Sequence, residues 1–172
     1  MAVTKIISGA QTGADRAGLD AGIALGLSTD EGPLSMDDFK RYALKQHPSP
    51  NYPPRTEQNV IDSDGTVLFG NMNSPGCRLT IKYCKAHKKP FLCLATDQLA
   101  GFPAVCISAL RAFVNEHNPS VLNIAGNRES TNPNIYAMTF ATIMNAFGCQ
   151  FCLLRIGRVV TTCEDCQGSG RQ

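Results

Sequence analysis

Three short stretches of this chain place glycine, small polar side chains and arginine directly after an apolar run. The first, Gly9-Ala10-Gln11-Thr12-Gly13-Ala14-Asp15-Arg16, follows Val3 to Ser8. Glycine lets a backbone turn tightly, and a helix opening at such a junction offers unpaired N–H groups to an anion. Thr12 adds a hydroxyl and Arg16 a guanidinium; the alternative use of these residues is structural, with Thr12 or Asp15 capping the helix. The second stretch, Asn73-Ser74-Pro75-Gly76-Cys77-Arg78-Leu79-Thr80, follows the apolar residues 66–69, and Gly76 could equally serve only to relieve a turn. The third, Ala125-Gly126-Asn127-Arg128-Glu129-Ser130, sets Arg128 where it could hold a phosphate or carboxylate, or simply pair with Glu129 at the surface. Together they favour a phosphate-bearing ligand.

Other chemistry is thinner. Asp62 and Asp64 in Asp62-Ser63-Asp64-Gly65 could hold a cation or contact hydroxyls, although Asp-Gly before a strand is ordinarily a turn. The histidines at 47, 87 and 117 lack ligand spacing, and no Ser–His–Asp or Cys–His set stands out. Of the eight cysteines, Cys77, Cys84, Cys93 and Cys106 lie among apolar residues and read as small buried hydrophobes. Cys149, Cys152, Cys163 and Cys166 form two C-x-x-C pairs ten residues apart. Four thiolates so spaced can meet on a structural zinc ion across a ribbon-like hairpin centred on Gly157, the plain alternative being a last strand with a frayed tail.

The elements that must position these residues alternate. Val3–Ser8 reads as a strand and 15–25 as a helix closed by Gly26; 66–69, 91–94 and 120–126 read as strands, and 79–87, 107–116 and 134–147 as helices. Residues 28–58, dense in proline, read as an irregular excursion. Strands alternating with helices imply an α/β, Rossmann-like three-layer fold with a mostly parallel sheet. Its ligands would settle beyond the carboxyl ends of the strands, where all three glycine-containing stretches fall. The expected organisation is a ligand-binding domain over 1–148 and a cysteine-bearing tail over 149–172. With 43% hydrophobic residues the chain can build a full core, and a net charge of +2 argues against a nucleic-acid-binding surface. No apolar run reaches bilayer length and no signal-peptide core opens the chain, so a soluble cytoplasmic protein without membrane partners is expected.

The stretch from Ile7 to Asp20 resembles the first motif of the molybdenum cofactor carrier proteins. Residues 55–66, Arg55-Thr56-Glu57-Gln58-Asn59-Val60-Ile61-Asp62-Ser63-Asp64-Gly65-Thr66, resemble their second, and Leu122 to Ser130 their third. The order is kept over about residues 3–140. The family's Gly-Gly-Thr before the second helix is replaced here by Pro75-Gly76-Cys77, and its aromatic-containing motif after the first helix is missing around residues 26–33. That family is similar to a wider Rossmann-like superfamily of lysine decarboxylase-like, LOG-type proteins that bind nucleotide-like ligands. The resemblance implies a homo-oligomeric carrier that shelters phosphorylated molybdopterin without converting it. Gly9, Gln11, Thr12, Gly13, Asp15 and Arg16 would then bind at the first helix, Gly76 and Thr80 at the second, and Gly126 and Arg128 after the last strand. Arg55, Asn59, Asp62 and Asp64 would line the rim. The competing expectation is a LOG-like nucleotide or nucleoside-phosphate hydrolase in which Asp15, Asp64 or Glu129 activates water. A weaker alternative is a protein-interaction module docking through the cysteine tail.

Overall fold

The computed structural model describes residues 3–30, 52–101 and 103–148. Cys149, Cys152, Cys163 and Cys166, and with them the zinc-ribbon expectation, lie outside the described residues, as does most of the proline-rich excursion. The described strands are β1 (Lys5–Ser8), β2 (Ser28–Asp30), β3 (Gly65–Gly70), β4 (Phe91–Ala95) and β5 (Val121–Gly126). They form one sheet in the order β2-β1-β5-β3-β4, and every pairing is parallel. The helices are α1 (Ala14–Ala24), α2 (Tyr52–Ile61), α3 (Pro75–Ala86), α4 (Thr96–Gly101), α5 (Pro103–His117) and α6 (Ile135–Phe147).

Strand order dictates the layers. Parallel crossovers are right-handed, so connections running one way across the sheet place their helices on one face and those running back use the other. β1 to β2 and β4 to β5 run one way, and on that face α6 packs against both α1 and α5. β2 to β3 and β3 to β4 run the opposite way, and α2 packs on α3 across the sheet. The loops leaving β1 and β3 therefore diverge on either side of β5, which opens a crevice at the carboxyl edge.

The core follows from the same placement. Ile6, Val67, Phe69, Leu122 and Ile124 are buried in the central strands, and Leu110, Ile135 and Ile143 cover them from α5 and α6. All six residues of β3 are buried, as a strand sandwiched between two helical layers requires. Small residues Ala14, Ala17, Gly18 and Ala21 bring α1 down onto the sheet, and Gly26 ends it in the left-handed conformation with its N–H donated to the Ile23 carbonyl. The four inner cysteines match the sequence reading: Cys77, Cys84 and Cys106 are buried, Cys93 is half-buried, and burial pushes all four thiols up.

Several elements depart from the sequence reading: β2 lies inside the stretch expected to be irregular, α4 is not among the expected helices, and α5 starts at Pro103 rather than Ile107. α2 begins at Tyr52, inside the stretch expected to be irregular; Pro53 and Pro54 sit in its first turn, where a missing N–H costs no helical bond. α3 starts at Pro75 rather than Leu79, because Ser74 caps it by accepting from the Cys77 N–H at 3.3 Å and Pro75 takes the first helical position. Ser74→Ala is expected to cost about 1 kcal/mol, read as a lowered urea midpoint at unchanged slope. Among the described residues no helix is long and apolar enough to cross a membrane.

Candidate functional site

The loops after β1, β3 and β5 meet at the carboxyl edge and are fastened to one another. The Ser8 hydroxyl donates to the Asp15 carbonyl at 3.0 Å and accepts from the Ala10 N–H at 3.0 Å, which folds the first loop back on its strand. The Ala14 N–H donates to the Asn127 carbonyl at 3.1 Å, joining the first loop to the third. Asn127 then spans the second: its Oδ1 accepts from the Asn71 N–H at 2.5 Å and its Nδ2 donates to Ser74 Oγ at 3.0 Å.

Beneath these loops, on the α2–α3 side of the sheet, lies a cleft lined by Gly9, Gln11, Asp15, Arg55, Thr56, Asn59, Gly76, Cys77, Thr80, Asn123, Ala125 and Gly126. Four segments far apart in the chain thus share one site, the three junctions and α2. About 30 Å³ of it is open to the centres of water-sized groups, and it is partly open to solvent. A wider open cleft of about 480 Å³ lies beside it over β3 and β4, bordered by Asn71, Met72, Thr96, Asp97 and Asn132. Asn127 stands between the two, within 3.9 Å of Cys77 Sγ on one side and bonded to Asn71 and Asn132 on the other.

Asp15 forms part of the small cleft. Its carboxylate Oδ2 accepts from the Gln11 N–H at 3.4 Å, and a Cβ on Gly9 would stand only 2.7 Å from that oxygen, so glycine there leaves the carboxyl its space. Burial pushes the Asp15 pKa up to about 7; backbone donors Gln11 and Gly126 and the charges of Arg128 and Arg55 oppose the rise without cancelling it. Arg55 reaches from α2 to the Gly9 carbonyl at 3.4 Å, and the Arg128 Nε donates to Gln11 Oε1 at 2.6 Å from an exposed position. Two guanidinium groups therefore border a cleft whose floor holds a carboxyl with neutral-range titration.

The sequence-predicted residues separate on this geometry. Gly9, Gln11, Asp15, Arg55, Asn59, Gly76, Thr80 and Gly126 line the cleft. Arg128 touches it through Gln11. Thr12, Gly13 and Arg16 do not line it: Thr12 is exposed, and α1 has no side-chain cap at Gly13. The α1 terminus is a poorer anion site than its glycines suggested, because the Ala14 and Arg16 N–H groups are already donated to Asn127 and Gln11 carbonyls. Asp62 and Asp64 do not line the cleft either. They precede β3 and so sit at its amino end, roughly 20 Å from the loops. There Asp62 Oδ1 accepts from the Gln58 side chain, and Asp64 Oδ2 accepts from the Ser120 and Val121 N–H groups. Glu129 is also spoken for, since its carboxylate accepts from the Asn134 and Tyr136 N–H groups at the start of α6. Of the acids considered for activating water, only Asp15 remains in the cleft.

Sequence reasoning missed Asn123, Thr56 and Cys77 as lining residues. Asn123 carried a signal: a carboxamide between Leu122 and Ile124 in an otherwise apolar strand. His87 places Nε2 2.8 Å from Glu57 Oε1 and ties the end of α3 to α2, the helix that carries Arg55. Among the described residues no group of three or more His, Cys, Asp or Glu side chains could hold a metal ion.

A family model for the circularly permutated YpsA SLOG family matches residues 6–147. The chain belongs to that family. The match takes in all three cleft loops of this SLOG protein and the helices between them. The fold is also similar to the crystal structure of a "putative molybdenum carrier protein" from Syntrophus aciditrophicus SB, with a TM-score of 0.76 and 33% sequence identity over 86% of this chain and 96% of that one. No curated protein gives a significant match.

Proposed function

We propose that this SLOG-family protein is a carrier that binds a phosphorylated pterin- or nucleotide-like small molecule in the small cleft and holds it without converting it. The observation that carries this reading is the convergence of three loops on one polar cleft bordered by Arg55 and Arg128. Guanidinium groups suit phosphate because their planar donors match its oxygens. The molybdenum-carrier description of a structural neighbour one-third identical agrees with it. Cys77 also fits a holding role, since burial keeps its thiol protonated and weakly nucleophilic.

Native mass spectrometry of anaerobically purified protein, compared with the denatured sample, tests this. An added mass matching molybdopterin or a nucleotide, on a homo-oligomer, is the expected result. Arg55→Ala is expected to weaken retention of the ligand by about 10- to 100-fold, the loss of one charge-assisted contact. A bare chain mass, with no mass gained on adding molybdopterin or nucleotides, would refute the carrier reading.

A second reading, hydrolysis of a nucleotide or nucleoside phosphate, is favoured by one observation. Asp15 titrates near neutrality inside the cleft, where a general acid or base is most effective. Release of base or phosphate from a nucleotide panel, abolished in Asp15→Asn, would establish it. A carrier releases neither.

A further inference from the structure

Asn123 lies in the middle of β5, register-paired with Thr66, and only 2% of it is exposed. Its Nδ2 donates to Thr66 Oγ1 at 3.2 Å. Its Oδ1 has no donor among the described residues, although the residue lines the small cleft. Buried acceptors are almost always satisfied, and leaving one empty is costly. The cleft beside it admits water-sized groups, so a small donor group can enter and meet that oxygen. Asp15, lining the same cleft, adds a carboxyl that already accepts from the Gln11 N–H. The cleft is therefore two-ended, with Arg55 and Arg128 near its border for an anion and oxygen acceptors in its depth for a donor.

We infer that Asn123 is a specificity-determining residue that reads a hydroxyl or amino group on an organic phosphate, so that the cleft selects such an ester over a bare oxyanion such as molybdate or inorganic phosphate. The inference rests on the phosphate-binding reading above and adds the part of the ligand that the arginines do not recognise. Molybdate presents only acceptor oxygens at neutral pH, and inorganic phosphate carries its hydroxyl on the anion that the arginines hold, so neither brings a separate donor to Asn123 Oδ1. A ligand hydroxyl or amino group takes the place a water would occupy and reproduces its bond, which retains the enthalpy while releasing the water.

Calorimetric titration of the full chain with guanosine monophosphate, ribose 5-phosphate, inorganic phosphate and molybdate tests this. Expected is binding of at least one ester about 10-fold or more tighter than either ion. Asn123→Leu is expected to weaken that ester by about 10- to 100-fold while leaving inorganic phosphate within about twofold of the unmodified protein. Arg55→Ala is expected to weaken esters and phosphate alike. If Arg55→Ala weakens the ester and a folded Asn123→Leu does not, the phosphate site stands and the donor-reading role of Asn123 is overturned. Molybdate or phosphate binding as tightly as both esters also overturns it, and that comparison needs no variant should Asn123→Leu fail to fold. Absence of binding by all four overturns this inference together with the reading on which it rests.

Discussion

Gly13→Ala is expected to lower the melting temperature by roughly 10 °C and to abolish ligand retention. Gly13 adopts φ 92° and ψ −132°, a backbone conformation open to glycine and costly for any side chain. A Cβ there would stand 2.5 Å from the Asn127 carbonyl oxygen, 2.6 Å from the Glu129 nitrogen and 2.8 Å from the Arg128 carbonyl carbon. All three are backbone atoms, so relief requires moving the loop after β5 away from the loop after β1. That breaks the Ala14-to-Asn127 bond and withdraws Arg128 from Gln11. Strain plus overpacking amounts to about 3–5 kcal/mol, each kcal/mol moving the midpoint of a chain this size by about 2–4 °C. Gly26→Ala is the control. Gly26 also has positive φ, 70°, but a Cβ there meets nothing within 4 Å, so only the conformational cost of about 1 kcal/mol remains. Equal losses from the two substitutions in differential scanning calorimetry would contradict the packed-loop account.

Asp15→Asn is expected to flatten the pH dependence of stability between about pH 4 and pH 7 and to raise stability at pH 8 by about 1–3 kcal/mol. The Asp15 pKa rises from 3.8 to about 7 on folding, with burial as the largest cause. Below about pH 4 the carboxyl is protonated in both states and burial exacts no ionisation cost. Between there and about pH 7 the unfolded chain sheds its proton while the folded chain keeps it, so rising pH favours unfolding. Above about pH 7 both states are ionised and the penalty is complete, about 4 kcal/mol for a shift of this size. Asparagine keeps the shape and removes the charge, and forfeits part of what the Gln11 and Gly126 amides contribute, which is why the net gain is smaller than the penalty. Urea midpoints measured from pH 4 to pH 8 decide it. A wild-type chain whose Asp15-dependent stability rises over that range would mean that the carboxyl is ionised in the folded state throughout.

The three glycine-containing junctions are legible in the sequence because they are local. Each is an apolar run, a turn residue and a helical repeat within about a dozen positions, and the side-chain period within such a window reports the element that forms. The alternation of these units identified a parallel α/β sheet and the edge at which ligands collect. The match of the chain to the SLOG family spans the same segments. α2 was not legible: Pro53 and Pro54 interrupt a helix in its interior but start one comfortably, and only the packing of α2 on α3 decides which role they play.

What remained for the tertiary structure was everything that depends on strand order. Asp62 and Asp64 lie within ten residues of Arg55 in sequence, yet α2 carries the chain from one edge of the sheet to the other, so the arginine reaches the cleft and the acids do not. Glu129 follows Arg128 directly, but the start of α6 claims it. The titration of Asp15 near neutrality and the empty acceptor of Asn123 arise from residues brought together across α1, α2, α3 and the central strands. Local residue patterns determined which elements form and which edge could bind a phosphate. Desolvation and unmet hydrogen bonds belong to the assembled interior, so only the fold decided which side chains the ligand would meet.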